Sequence, residues 1–428
     1  MRILIISYFF PPYNTIGAVR VGKTAKYLTR LGHEVKVLTA SNQPLQPTLH
    51  TEIPTENILS TPWFNVNGPV EMLLGGRTVV QNQGYTVSGP FKSTLKRLGR
   101  LYRELFNFPD GQIGWFPHAC REGEKLLNTW TPDVIYASAM PNTSLLVAEH
   151  LAKKYGVPWF AEFRDLWLDN PNYKQPRWRR SLESKLEGRV LASAKGFITV
   201  SEPLAVRLRA KFPQPVKVIL NGFDPEDYLT ERGTSQPQEN EPVLHIAYTG
   251  MVYEGRQDPS PLFEAIRLLG PQGKAIRVSF YGRYLDMVLD LAKRHGIEDQ
   301  VRVLEAIPYR ESLNTQRKSD VLLLLMWNDA SERGVYTGKL FEYLGARRPI
   351  LAIGQPDNVA AELIQERDAG AVLNDPTHIA EQLMFWLRMK YENNLIPAIS
   401  EQASEGLSRE AQVRYLETFL TGIINGKS

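Results

Sequence analysis

Gly338, Lys339 and Glu342 fall within TGKLFEYL, which follows an unbroken apolar run at 321–327 and precedes Arg347-Arg348-Pro349. The apolar run reads as a buried strand, and 331–338 as a loop carrying Glu332, Gly334, Tyr336 and Thr337. A glycine loop that opens a helix leaves backbone N–H groups unpaired, and with the helix dipole they attract a phosphate. Gly338 admits a ligand close to the backbone. Lys339 adds a cation, and Glu342 shares the helix face one turn on, where it can accept hydrogen bonds from sugar hydroxyls. The same stretch also suits a plain loop feeding a half-buried helix with a solvated glutamate. A second pair, Arg164-Asp165, ends the strand-like PWFAEF at 158–163. Ligands of open α/β sheets bind outside the carboxyl ends of strands. A surface ion pair is the other reading of those two residues.

These residues need strands and helices to hold them, and the chain supplies both in alternation. Its 428 residues exceed one core, so two domains are expected. Hydrophobic content of 43% and charged content of 22% are ordinary for globular chains. No apolar run approaches the roughly 18 residues of a membrane span. The opening MRILIISYFFPP reads as a buried strand and not a signal peptide, because it starts apolar and ends in two prolines. The single cysteine, Cys120, excludes an internal disulfide and a cysteine metal cluster. A net charge of +4 does not point to nucleic acid.

Strands are expected at 3–8, 33–39, 133–138, 158–163, 196–200 and 216–220, with helices at 19–31, 117–127, 144–155 and 184–194. Residues 40–90 are polar and irregular. After the polar, proline-bounded stretch 228–242, strands recur at 244–248, 277–281, 301–304, 321–327 and 350–353. Helices at 261–269, 287–295 and 310–318 alternate with them. The expected organisation is therefore an α/β domain over 1–227, a linker over 228–242, a second over 243–407, and a final helix over 408–428 packing back toward the first. Gly17 and Gly22 do not form the GxGxxG dinucleotide fingerprint.

Residues 91–106, FKSTLKRLGRLYRELF, place Phe91, Leu95, Leu98, Tyr102 and Leu105 on one helical face. Lys92, Lys96, Arg97, Arg100 and Arg103 cover the rest. Such a helix can lie on an anionic membrane or be a domain helix with a solvated basic face. Arg177 to Arg180 form a second basic cluster beside Trp178.

Taken together, MRILIISYFFPPYNTIGAVR, PWFAEFRDLW, VILNGFD, YTGMVYEGR and TGKLFEYL with RRPILAIG resemble glycosyltransferase family 4, the retaining nucleotide-sugar transferases of the GT-B fold. The resemblance implies two Rossmann-like doubly wound domains facing a central cleft, with the acceptor on the N-terminal and the nucleotide sugar on the C-terminal one. Glu342 matches the second glutamate of the family's pair, which holds the donor ribose. Gly338 and Lys339 match the diphosphate-binding turn, with Tyr336 and Thr337 leading into it. Arg256 matches a phosphate-binding lysine, Ala306 and Ile307 the loop that recognises the base, and Gly17 the N-terminal loop near the diphosphate. The first glutamate's place holds Gly334, with Glu332 as the nearest substitute. Met251 stands where the family has an arginine, and Ala139 and Met140 where it has a histidine. Arg164 and Asp165 match a His-Asp pair.

The chemistry so implied is transfer of a hexosyl group from a nucleoside-diphosphate sugar to a glycan or lipid-linked glycan, in cell-surface polysaccharide or glycoconjugate synthesis. Asp165, Arg164 and Glu332 are the candidate catalytic residues. No cofactor is expected, and no metal, since the chain holds no Asp-x-Asp. The expected partners are the donor, the acceptor and the inner face of a membrane, with a cytoplasmic location and no nucleic acid. A GT-B epimerase or phosphorylase, or a subunit that binds nucleotide without catalysis, are the alternatives.

Overall fold

The structure is a computed structural model that describes residues 1–68, 93–170, 173, 175–228, 243–283, 285–329 and 333–426. The chain divides into two units, Met1–Leu220 with Val413–Ser428, and Asn221–Gln412.

In the first unit the elements are β1 (Arg2–Ile6), α1 (Ile16–Arg30), β2 (Glu34–Ala40), β3 (Ile58–Thr61), α2 (Ser93–Phe106), α3 (Phe116–Leu127), β4 (Val134–Ser138), α4 (Thr143–Tyr155), β5 (Trp159–Phe163), α5 (Arg177–Leu191), β6 (Gly196–Thr199), α6 (Glu202–Lys211) and β7 (Val216–Val218). Its seven strands pair in parallel in the order β3-β2-β1-β4-β5-β6-β7. Helices on both faces bury β4 and β5 completely, which is why these strands read as continuous apolar runs. Leu4, Ile6, Trp115 and Trp159 belong to one core layer. Ile3, Ile5, Val21 and Leu28 belong to the other.

The second unit holds β8 (Leu244–Thr249), α7 (Ser260–Leu268), β9 (Ile276–Tyr281), α8 (Asp286–His295), β10 (Val301–Leu304), α9 (Tyr309–Lys318), β11 (Val321–Leu325), α10 (Gly338–Ala346), β12 (Ile350–Ile353), α11 (Val359–Glu366), β13 (Gly370–Val372), α12 (Pro376–Asn393) and α13 (Glu401–Ser404). Its parallel sheet has the order β10-β9-β8-β11-β12-β13. The last helix, α14 (Arg409–Ile424), sends Val413, Leu416 and Leu420 into the second core layer of the first unit. Each sheet reverses its order once, between β1 and β4 and between β8 and β11. The loops at those reversals open a crevice where ligands bind in such sheets.

Three details depart from expectation. Helix α5 starts at Arg177 and not near 184, because its buried positions are Arg179, Glu183 and Glu187 as well as Val190 and Leu191, so apolar spacing hides its first two turns. The irregular stretch after residue 40 contains β3, whose partner is β2. Residues Asn221–Tyr228 fall with the second unit, because Phe223 bonds to Leu407 and Arg409 and packs against Gly345. Of the expected linker, 229–242 lie outside the described residues.

Candidate functional site

In the first unit, Arg164 follows β5 and reaches back to the end of β4. Its Nε donates to the Ala139 carbonyl at 3.1 Å and its Nη2 to the Met140 carbonyl at 3.0 Å. Its guanidinium lies over Gly17 in the first turn of α1. A Cβ added there would meet Arg164 Nη1 at 2.0 Å, so only glycine leaves the space. Burial pulls the Arg164 guanidinium below its ordinary value, against the opposing charges of Glu162 and Asp165. Burial likewise raises the Asp165 carboxyl, with Arg164 pulling it down.

Behind this pair lies a buried network absent from the sequence reading. Glu162 is fully buried and accepts from Arg20 Nε and from Ser138 Oγ, each at 2.7 Å. Arg20 also donates to the carbonyls of Leu220 at 2.9 Å and Ile219 at 3.0 Å. One guanidinium thus ties α1 to β5 and to the segment after β7. Burial alone would raise the Glu162 carboxyl; Arg20, with hydrogen bonds from Tyr136 and Ser138, holds it below its ordinary value. A glutamate inside a strand buried on both faces was the available signal, since such a charge must be paired.

In the second unit, β8 ends at Thr249, and Gly250 follows with φ +125°. A Cβ at Gly250 would lie 2.5 Å from Lys339 Cε and 2.9 Å from its Nζ, so the lysine rests on bare backbone. Lys339 Nζ also sits 5.0 Å from the centroid of the Tyr248 ring. It makes no ion pair with a carboxylate among the described residues. Burial pulls its ammonium below the ordinary lysine value, against the influence of Tyr253 and Glu342. The N-cap residue of α10 is Thr337, whose backbone is extended and whose side chain makes no capping bond. Its Oγ1 is buried without a partner.

Glu342 accepts from Gln316 Nε2 at 3.0 Å, and Gln316 also donates to Thr249 Oγ1 at 3.0 Å. Burial raises the Glu342 carboxyl, while Gln316, Lys339 and Arg409 pull it down. Arg256 lies with its Cζ 5.0 Å from the Trp327 ring centroid, and Tyr253 stacks on the same ring at 5.2 Å. Asn328 N donates to the Arg256 carbonyl at 2.9 Å, which fixes this loop to the end of β11. Tyr336 packs edge-on against Phe341, and burial with Glu362 and Glu366 pushes its hydroxyl up to about 12.

The fold therefore brings Gly338, Lys339 and Glu342 to the end of β8, beside the Arg256 loop at the end of β11. Ala306, exposed, and Ile307, half-buried, form the loop between β10 and α9. Glu332 and Lys92 lie outside the described residues, as do the side chains of Lys96, Arg97 and Arg100; Arg103 is exposed.

Residues 17–222 match the model of a glycosyl transferase 4-like domain. No curated protein matches the chain in sequence. Among solved structures, sucrose-phosphate synthase (tll1590) from Thermosynechococcus elongatus is similar with a TM-score of 0.63 at 12% identity, over 100% of both chains. Alr3699/HepE from Anabaena, solved in complex with UDP and glucose, is similar with a TM-score of 0.62 at 13% identity, over 99% of this chain and 100% of its own. The lipopolysaccharide outer core galactosyltransferase WaaB, in its apo form, has a TM-score of 0.54 at 13% identity over 99% of each chain. No helix among the described residues is long and apolar enough to cross a membrane. With two Rossmann-like units, each built on a sheet that reverses once, the chain has the GT-B fold, and its residues 17–222 are similar to a glycosyl transferase 4-like domain.

Proposed function

We propose that the chain transfers a hexosyl group from a nucleoside-diphosphate sugar to a glycan acceptor, with retention of anomeric configuration and without a metal. The observation that carries this reading is Lys339: a half-buried ammonium with no carboxylate partner among the described residues, resting on Gly250 beside the uncapped start of α10. Departure of a nucleoside diphosphate builds negative charge on its phosphates. A fixed ammonium and helix N–H groups, preorganised in a site shielded from water, stabilise that charge as it forms. Arg256, held on the Trp327 ring, is the second cation, and Glu342 is the ribose acceptor. HepE, solved with UDP and glucose, supports a nucleotide-sugar donor for this fold.

On the first unit, Arg164 and Asp165 orient the acceptor or the transferred sugar, and Glu332 is the third candidate catalytic residue. The departing phosphate itself takes the acceptor proton, which removes the need for a separate general base. The acceptor is a lipid-linked glycan presented at the inner face of a membrane, in synthesis of a cell-surface glycoconjugate. The test is transfer of labelled sugar to extracted lipid acceptors with EDTA present. Labelled glycolipid should accumulate at an undiminished rate, and product NMR should show the donor's anomeric configuration. Loss of turnover in EDTA with recovery on added metal would refute the metal-free mechanism. Consumption of donor with no acceptor present would indicate an epimerase.

A further inference from the structure

Lys339 and Glu342 are both half-buried and stand one turn apart on α10. Side chains of a helix lean toward its N-terminus, which carries the Glu342 carboxylate toward the Lys339 ammonium. Opposite charges so placed attract one another, yet the two side chains make no ion pair or hydrogen bond with each other.

What holds them apart lies on α9. Gln316 is fully buried, and its Nε2 donates to Glu342 Oε2 and to Thr249 Oγ1, each at 3.0 Å. Ser312 Oγ is 3.3 Å from the same nitrogen. One amide therefore joins α9, the end of β8 and α10. Its orientation follows from the partners. An ionised carboxylate can only accept, so the amide nitrogen must face it, whereas the hydroxyls of Thr249 and Ser312 turn to suit. The consequence is that Gln316 Oε1 is buried with no partner. An unmade hydrogen bond to a buried amide oxygen is unfavourable, and a side chain that served packing alone would avoid it. Glu342 Oε1, in contrast to Oε2, accepts from none of the described residues. The other charged or titratable groups near the carboxylate are Arg409, Asp227, Tyr228 and Tyr309. Those near the ammonium are Tyr248 and Tyr253.

We infer that Gln316 is a positioning residue of the donor site: by holding Glu342 Oε2 against Thr249, it keeps the carboxylate from closing onto Lys339. The ammonium then stays open to an anion, and the second carboxylate oxygen to hydroxyl groups. The inference rests on the reading of Lys339 and Glu342 as ligands of the diphosphate and the ribose, and it adds the group that keeps these two ligands from neutralising one another.

The test is trace labelling of the full chain with acetic anhydride over a pH series, with Lys339 followed by mass spectrometry. Gln316→Met, close to the same shape without the amide, should raise the pH midpoint of Lys339 labelling by about one unit or more, the effect of an opposite charge brought into contact. Combining it with Glu342→Gln should abolish that rise, because the neutral amide cannot pair. Glu342→Gln alone should move the midpoint far less. An unmoved midpoint in folded Gln316→Met, or the same rise with Glu342→Gln present, would overturn the inference. So would a fall of about one unit in Glu342→Gln alone, which would show the pair already closed. Should Gln316→Met not fold, Gln316→Asn, whose amide falls short by one methylene, is read in the same way. Affinity for UDP, GDP or ADP, whichever binds best, should fall about tenfold in Gln316→Met, the size of a lost hydrogen bond to a charged group. If the wild type binds none of the three, the donor reading fails, while the labelling still decides whether Gln316 holds Glu342 off Lys339.

Discussion

Lys339 and Glu162 are both half or fully enclosed charges, yet their surroundings set them opposite tasks. Lys339 has no ion-pair partner among the described residues, and its folded-state pKa lies below the ordinary 10.5. Between the folded and unfolded values the unfolded chain binds more protons, so this group makes stability rise with pH there. Lys339→Met should flatten that alkaline rise in a series of melts. The same substitution should weaken donor affinity by about tenfold to a hundredfold, the range for losing a charged hydrogen-bond partner. In the wild type, donor affinity should fall with rising pH before an ordinary lysine would titrate; a flat alkaline profile would remove Lys339 from the phosphate site. Glu162 is the reverse case. Its folded pKa lies below 4.5, so its stabilisation is complete above that value and is lost as pH falls through the folded pKa. Removing one partner of the Arg20–Glu162 pair, as in Glu162→Ala, should cost about 3–5 kcal/mol in denaturant melts. A cost under about 1 kcal/mol would show the pair to be solvated like a surface bridge.

At the scale of elements, the two sheet reversals decide which loops can carry chemistry, and a glycine meets a cation at each. Gly17 starts α1 beneath Arg164, and Gly250 ends β8 beneath Lys339. Gly17→Ala should push the Arg164 guanidinium off the carbonyls of Ala139 and Met140, at a cost of about 1–3 kcal/mol from overpacking. Transfer should fall, because Arg164 is a candidate catalytic residue that orients the acceptor or the transferred sugar; transfer at the wild-type rate would show that Arg164 has no part in it. Much of this frame was legible in the sequence. Runs such as VIYAS and VLLLL can only be strands buried on both faces, and TGKLFEYL announces a glycine-led helix. What was hidden depended on distant partners. Gly17 is needed because of a side chain far along the chain, and Glu162 is tolerable only because Arg20 reaches it. The start of α5 escaped detection because an arginine and two glutamates, paired internally, occupy its buried face.

For the whole molecule, the fold is shared with proteins no more than 13% identical among those compared, so little beyond geometry is common to them. Function then rests on the site and not on the fold. The second unit offers two cations and a carboxylate at one sheet reversal; the first offers a half-buried Arg-Asp pair at another. The account stands or falls on whether the start of α10 holds a nucleotide sugar. A thermal-shift series with UDP-, GDP-, ADP- and TDP-sugars, run on wild type and on Lys339→Ala, addresses this directly. At a donor concentration about a hundred times Kd, binding adds roughly 2.7 kcal/mol. At least one donor should therefore raise the wild-type melting temperature by roughly 3 °C or more. The rise should largely vanish in Lys339→Ala. No rise with any donor, or an equal rise in both proteins, would contradict it.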